Sequence, residues 1–248
     1  MKNNNKFIEL QKKLKQLVEY FLYFGFKKQC PICGKKVNKF APSGVIKRKN
    51  AKCIWCGSLE RHRLIWLFLS RETDFFKYQN KKILHFAPEN EFRKKFSNLF
   101  GKNYITADLY NPAMLKIDIT DTKLPDNYFD IILCSHVLEH IIDDKLAIME
   151  MSRILKNDGW ALIVVPITVN STFEDKNIST PELRQKYFGQ FDHVRRCGLD
   201  YKERIENNGF FVKEYKTEEI TNSYEQNYYG LIKGEIIYYC KKNKFSQN

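Results

Sequence analysis

The stretch LPDNYFDIILCSHVLEHIIDD, residues 124–144, has the pattern of a loop followed by a strand and a helix. Its apolar run FDIILC, residues 129–134, is short and bounded by polar residues, which predicts a buried strand. Similar runs predict strands at residues 82–87, 104–108 and 160–165, with helices at 90–99 and 137–155. This alternation is typical of an α/β fold whose parallel sheet is covered on both faces. A helix near residues 198–208, a strand from Phe210 and a last strand around residues 235–240 complete the expected order.

The turn after the first of these strands, ILHFAPEN at residues 83–90, lies where α/β domains bind nucleotide cofactors. In dinucleotide-binding domains this turn carries glycines, which let the backbone approach the ligand, and here it carries none. The next strand ends in Asp108, about 20 residues further on, where a carboxylate can accept hydrogen bonds from ribose hydroxyls. The residues therefore predict a cofactor site but leave the cofactor open.

Four of the seven cysteines form two C-x-x-C pairs, each followed by a glycine, and 19 residues separate the pairs. Four thiolates at this spacing predict a structural tetrahedral Zn²⁺ site with no open position for catalysis. The alternatives are two separate pairs of buried thiols or a redox C-x-x-C motif. The four expected ligands are Cys30, Cys33, Cys53 and Cys56.

The 248 residues suffice for one α/β domain and a small module. We expect an amphipathic helix at residues 1–26, a zinc ribbon at 27–60, a linking helix at 61–80 and the α/β domain at 81–248. The aromatic end of the first helix, YFLYFGF, predicts packing on a neighbouring domain or, in a homodimer, on a second copy of the chain.

The net charge of +13 lies in the N-terminal quarter, since residues 1–63 contain 16 Lys and Arg against three Asp and Glu. Such a patch predicts binding to phosphates, nucleic acid or an anionic membrane surface; alternatively, the lysines offset the charge of a tetrathiolate zinc site. No run approaches the roughly 18 apolar residues of a membrane span, and we find no signal peptide. With reduced cysteines, these features predict a soluble cytoplasmic protein.

Residues 124–144, followed by MSRILKNDGWALIVVPI at 151–167, resemble the central part of the class I S-adenosylmethionine-dependent methyltransferases. Together with CPICG, CIWCGSLERHRLIWLFL, ILHFAPEN, YITADLY, IDITD and FGQFDHVRRCGLDYKERIENNGFFV, they resemble a bacterial family in which a zinc ribbon precedes that domain. The resemblance implies a Rossmann-like sheet of seven strands, the last antiparallel, with a short third strand at IDITD. It also implies S-adenosylmethionine at the carboxyl ends of the first strands.

The resemblance assigns cofactor roles residue by residue. The negative charge of Glu89 favours S-adenosylmethionine over NAD, because the methyl donor carries a sulfonium and an ammonium and no phosphate. The expected contacts to the methionine end are Phe86, Ala87, Pro88 and Glu89; those to the ribose are Asp108 and Leu109; those to the adenine are Asp118 and Ile119; and those flooring the pocket are Cys134, Ser135 and His136.

His136, Glu139 and His140 spell H-x-x-E-H, the inverted zinc-protease signature, which would need both histidines on one helix. The resemblance instead places His136 at a strand end and the other two in the following helix. His193, next to Asp192, is expected near the substrate, where a neutral imidazole could take a proton from a hydroxyl. A structural role for His193 is the alternative.

We therefore expect a methyltransferase, with His193, Asp192 and His136 as candidate catalytic residues. The expected reaction is O-methylation of a small polar or phosphorylated metabolite or glycan precursor, since the resemblance points to surface polysaccharide pathways. Arg195 and Arg196 could pair with an anionic group on the substrate, or be solvated surface arginines. The alternative functions are an RNA methyltransferase that uses the basic zinc ribbon and a non-catalytic scaffold with a degenerate cofactor site.

Overall fold

The computed structural model describes residue 18, residues 21–44 and residues 47–243, and it divides into two compact units. The first unit comprises Met1–Phe76 and Thr217–Gly234, and the second comprises Lys77–Lys216 and Glu235–Asn248. The first unit thus runs past the expected ribbon and takes in residues from within the expected 81–248 domain. Most of the helix expected at residues 1–26 lies outside the described residues, although residues 21–23 are helical.

The first unit begins with two small antiparallel hairpins. Strand β1 (Lys28–Gln29) pairs with β2 (Lys36–Val37), and β3 (Ala41–Ser43) pairs with β4 (Arg48–Lys52). Helix α1 (Glu60–Arg71) follows and buries an apolar face that includes Leu64 and Phe68. Its N-cap is Leu59, whose backbone N–H donates to His62 Nδ1 at 3.2 Å.

The second unit contains a six-stranded sheet, formed by β5 (Ile83–Phe86), β6 (Tyr104–Ala107), β7 (Phe129–Ser135), β8 (Leu155–Val164), β11 (Phe210–Lys216) and β12 (Ile236–Lys242). Their order across the sheet is β11-β12-β8-β7-β5-β6. The four strands from β8 to β6 in this order are parallel, and β12 runs antiparallel to both of its neighbours. A two-stranded parallel pair, β9 (Ile167–Val169) and β10 (Cys197–Gly198), stands apart from it.

The α/β fold is confirmed, but the described residues of this unit form a sheet of six strands where seven were expected. Residues 115–121 form only isolated bridges, Ala107 with Leu115 and Asp118 with Asp121. The physical reason is local: Asp118 Oδ1 accepts hydrogen bonds from Thr120 N and Thr120 Oγ1, both at 2.8 Å, and so closes a turn instead of extending a strand.

The helices of the second unit are α2 (Asn90–Phe100), α3 (Asp144–Ile154), α4 (Pro181–Phe188) and α5 (Tyr201–Glu206). Helices α3 and α5 bury apolar residues in the core of the sheet, which includes Leu84, Ile132 and Ile163. The helix expected at residues 137–155 begins later than its sequence suggests. Leu138–His140 is a 3₁₀ turn, and the Asp143 side chain caps α3 by accepting from Leu146 N.

Between β11 and β12 the chain contributes α6 (Thr217–Ile220) and α7 (Ser223–Tyr229) to the first unit. Within that unit, Arg71 binds the Glu225 carboxylate through two hydrogen bonds, of 2.7 and 3.0 Å. Among the described residues, no helix is long and apolar enough to cross a membrane.

Candidate active site and cysteine cluster

The central strand β5 has β6 on one side and β7 on the other, and the chain therefore changes direction across the sheet between them. In open α/β sheets, ligands bind outside the carboxyl ends of the strands at this switch point. Phe86 pairs with Ala107 and with Cys134. The three residues that follow these, Ala87, Asp108 and Ser135, therefore lie at the same carboxyl edge of the sheet.

Ala87 adopts the backbone conformation of the missing glycine. Its φ is 44°, in the left-handed region, and its N–H donates to the Ala107 carbonyl at 2.8 Å. This conformation costs an L-residue roughly 1–2 kcal/mol. The turn thus keeps a glycine-type geometry without glycine, and Glu89 follows as the N-cap of α2.

His85 contacts the carboxylate of Glu89 in this turn. Its Nδ1 lies 2.8 Å from the Tyr104 hydroxyl and its Nε2 lies 3.0 Å from Glu89 Oε2, while its ring is 1% exposed. Burial raises the pKa of Tyr104, so the phenol keeps its proton. With Tyr104 donating to Nδ1 and Nε2–H donating to Glu89, both ring nitrogens are satisfied. The carboxylate is held against the turn by this chain of hydrogen bonds.

Asp108 is also held by its own turn. Its Oδ1 accepts from Tyr110 N at 2.8 Å and Asn111 N at 2.7 Å, whereas its Oδ2 has Asn111 Nδ2 at 3.2 Å. The half-buried carboxylate therefore keeps acceptor capacity on Oδ2 for a ribose hydroxyl. Leu109 beside it is exposed, Asp118 is exposed and Ile119 is buried.

Among the residues expected to floor the pocket, Ser135 has a buried hydroxyl that could bind a polar ligand. Ser135 is 6% exposed, and its hydroxyl has no hydrogen-bond partner among the described residues. Buried hydroxyls normally find a partner, so an adjacent ligand is a natural one. His136 follows with a φ of 54° and is half-buried, whereas Cys134 is fully buried and its pKa is raised by burial.

Beyond this edge, the structure brings together Glu139, His140 and His193. One ligating atom from each lies within 4.8 Å of the other two. The rings of His140 and His193 meet edge to face, with centroids 4.7 Å apart. We call these three residues the Glu139 cluster. The candidate catalytic residues flank it: Asp192 O is 3.3 Å from His140 Nδ1, and His136 Nδ1 is 3.1 Å from Glu139 Oε1.

The ionisation of the cluster follows from its surroundings. Burial raises the pKa of Glu139, but the attraction of His136 outweighs it, and the net pKa lies below the usual value. Burial lowers the pKa of His193, which favours the neutral imidazole. The sequence motif H-x-x-E-H contained two of the three members, but the candidate catalytic set omitted Glu139 and His140.

Arg195 is buried, contrary to both interpretations of the sequence. It is 1% exposed and donates to the carbonyls of Leu138 and Ile141, each at 2.6 Å, and to Glu174 at 2.9 Å. It fastens the segment after α4 to the turn after β7 and is not available to a substrate anion. Arg196 donates to the side chain and carbonyl of Thr168.

The four cysteines of the first unit lie together. Cys30 Sγ is 3.6 Å from Cys56 Sγ, and Cys33 Sγ is 3.8 Å from Cys53 Sγ. Four sulfurs about 2.3 Å from one zinc ion would be spaced about 3.8 Å apart, whereas a disulfide bond is about 2.05 Å long. The cluster therefore has the dimensions of a tetrathiolate site. The Ser58 hydroxyl lies 3.2 Å from both Cys30 Sγ and Cys56 Sγ.

Beside the sulfurs, Arg63 is completely buried and was not predicted from the sequence. Its guanidinium stacks 3.9 Å from the Phe40 ring, and the charges of the cysteines raise its pKa against a larger lowering by burial. It donates to five backbone carbonyls of the first unit: those of Asn50, Ala51, Ser58, Tyr229 and Gly230.

A protein family described as a methyltransferase domain matches residues 76–163. None of the curated proteins matches the chain. Residues 76–163 contain β5, β6 and β7, the strands at whose carboxyl ends the candidate cofactor residues lie.

Among solved structures, an S-adenosylmethionine-dependent methyltransferase from Archaeoglobus fulgidus is similar with a TM-score of 0.50 and 16% identity, over 75% of this chain and 95% of that chain. The 1,6-didemethyltoxoflavin-N1-methyltransferase from Burkholderia thailandensis, with bound S-adenosylhomocysteine, gives a TM-score of 0.48 and 11% identity, over 75% and 78%. At 16% identity, the likeness to the Archaeoglobus protein shows the fold alone.

Proposed function

Because residues 76–163 match a methyltransferase-domain family, we propose that this chain is a class I S-adenosylmethionine-dependent methyltransferase and that it methylates a hydroxyl oxygen of a small polar or phosphorylated metabolite or glycan precursor. The proposal that the acceptor atom is oxygen rests on the Glu139 cluster, which lies beyond the carboxyl end of β7. A hydroxyl must lose its proton as the methyl group arrives, and this buried polar cluster is placed to assist that loss. The proposal of a surface polysaccharide pathway rests on the sequence resemblance alone.

The cofactor supplies a methyl group activated by a sulfonium. Ala87 and Glu89 would border the methionine end, Asp108 would bind the ribose through Oδ2, and Ser135 would donate its free hydroxyl. Because methyl transfer depends mainly on in-line placement of the two reacting atoms, these residues act chiefly by positioning. For a phosphorylated acceptor, Arg196 is the cation that this segment offers, since Arg195 is buried.

We further propose that Cys30, Cys33, Cys53 and Cys56 bind one structural Zn²⁺. Four sulfur ligands leave no open position, so the ion stabilises the first unit and takes no part in methyl transfer. Arg63, buried beside the sulfurs, would offset part of the negative charge of the tetrathiolate site.

The acceptor is tested with an extract of cells that encode the protein, separated into small-molecule, glycan and RNA fractions. Each fraction is incubated with the enzyme and S-adenosylmethionine labelled on the methyl group. We expect label in a methyl ether in the small-molecule or glycan fraction, and expect His193→Ala to reduce its formation. Label confined to RNA would contradict this proposal and favour an RNA methyltransferase.

A further inference from the structure

The Glu139 cluster has the donor set of a metal site. Glu139 and His140 come from the turn after β7, and His193 comes from the segment between α4 and β10. One carboxylate oxygen and two imidazole nitrogens lie within 4.8 Å of one another, a spacing that a single ion can bridge with small side-chain movements. Two imidazoles and one carboxylate suit divalent transition ions better than Mg²⁺ or Ca²⁺, which prefer oxygen ligands.

The burial of Glu139 provides a second, independent indication. The residue is 0% exposed, and neither carboxylate oxygen accepts a hydrogen bond of normal geometry from a described residue. The imidazole Nδ1 of His136 lies 3.1 Å from Oε1. A buried carboxylate costs several kcal/mol unless it is paired or coordinates a metal. A cation at the cluster would supply the missing partner.

Neighbouring groups fix the cluster from outside, as is usual for metal-bound histidines. Asp192 contacts His140 Nδ1 through its carbonyl at 3.3 Å and its carboxylate at 3.4 Å. Val194 N donates to the Glu139 carbonyl at 2.9 Å, which joins the two chain segments at the cluster. The buried Arg195 donates to the Leu138 and Ile141 carbonyls of the same turn, so both segments that carry the three donors are held together.

We propose that Glu139, His140 and His193 bind a divalent transition-metal ion that keeps open positions for the hydroxyl oxygen of the acceptor. The binding of the metal stands on the geometry, whereas its role rests on the proposed function. Coordination lowers the pKa of the bound hydroxyl. The hydroxyl gives its proton to water, the oxygen forms a bond to the methyl carbon, and the carbon–sulfur bond breaks with its electron pair left on sulfur. The products are a methyl ether, S-adenosylhomocysteine and a proton.

The test uses the full chain purified with zinc on its cysteines and titrated with Co²⁺ by calorimetry and absorption spectroscopy. We expect one Co²⁺ per chain beyond the zinc, without thiolate-to-cobalt absorption, which would report exchange at the cysteines. His193→Ala should lower the affinity at least tenfold. Asp192→Asn, at a half-exposed site that does not endanger folding, should lower it roughly 10- to 100-fold. His62→Gln, a histidine outside the cluster, should leave it unchanged.

Absence of a second Co²⁺ site in the folded protein would overturn the proposal, as would equal affinity in wild type and folded His193→Ala. Methyl transfer to hydroxyls that is unchanged by a chelator would remove the catalytic role and leave the proposed function intact. A second metal site in an enzyme that methylates only RNA would retain the site and refute the small-molecule or glycan acceptor.

Discussion

His85 Nε2 lies 3.0 Å from Glu89 Oε2, across the glycine-free turn between β5 and α2. The contact explains how a carboxylate is accommodated in a turn where glycines are usual. Replacing the buried ring by His85→Ala removes this bond and the one to Tyr104, and should lower the free energy of unfolding by about 2–4 kcal/mol. Glu89→Gln keeps an acceptor for Nε2–H and should cost less than about 1 kcal/mol. Urea unfolding of both variants checks the difference, and equal losses would contradict it.

The left-handed conformation of Ala87 predicts opposite effects of two substitutions. Ala87→Gly relieves strain of roughly 1–2 kcal/mol but adds backbone entropy to the unfolded chain, so stability should rise by up to about 1 kcal/mol. Ala87→Val should destabilise by more than 1 kcal/mol, since β-branched residues tolerate this region poorly. Thermal unfolding measures both, and a more stable valine variant would contradict the assigned conformation.

Arg63 should couple the cysteine cluster to the segment at residues 217–234. Arg63→Ala leaves buried carbonyls without donors, including those of Tyr229 and Gly230, and should destabilise the first unit by about 3 kcal/mol or more. It should also speed the loss of zinc to a chelator, because the thiolates lose a buried cation. Arg61→Ala, in the same helix, is the matched control. Unchanged zinc release in the folded Arg63→Ala variant would disprove the coupling.

Glu150 predicts an acid-sensitive contribution to stability. The Arg153 guanidinium lowers the pKa of Glu150 to about 2. Hydrogen bonds from Thr122 add to this lowering, and burial opposes it. Because the pKa of Glu150 is lower in the folded state than its value of about 4.3 in the unfolded chain, the ionised carboxylate stabilises the protein at pH values above about 4.3. This stabilisation is lost as the pH falls towards 2. Glu150→Gln should therefore be about 1–2 kcal/mol less stable at pH 7, after allowance for solvent screening, with the difference vanishing near pH 2. A constant difference across this range would refute the assignment.

The buried parallel strands were predictable, because strands covered on both faces require continuous apolar runs such as FDIILC and ALIVV. The missing third strand was not, because it depends on the Asp118 side chain closing a turn. The return of residues 217–234 to the first unit was hidden as well. It depends on hydrogen bonds from Arg63 to Tyr229 and Gly230, which are 166 and 167 positions later in the chain, and local patterns do not encode such contacts.

The candidate sites were also predictable only in part from the sequence. The spacing of the cysteines is local, so their proximity followed from the motif. The positions of Asp108 and Ser135 at one edge followed from the order of strands. The proximity of Glu139 and His140 to His193 could not be predicted from the sequence, because the turn after β7 and the segment after α4 are far apart along the chain.

The most direct test of cofactor binding at the glycine-free turn is calorimetric titration of the zinc-loaded protein with S-adenosylmethionine. Asp108→Ala is measured beside it, with Asp121→Ala as control, since Asp121 is exposed and pairs with Lys123. We expect a Kd on the order of micromolar, weakened roughly tenfold or more by Asp108→Ala and unchanged by Asp121→Ala. No binding by the folded wild-type protein, or equal binding by Asp108→Ala, would contradict it.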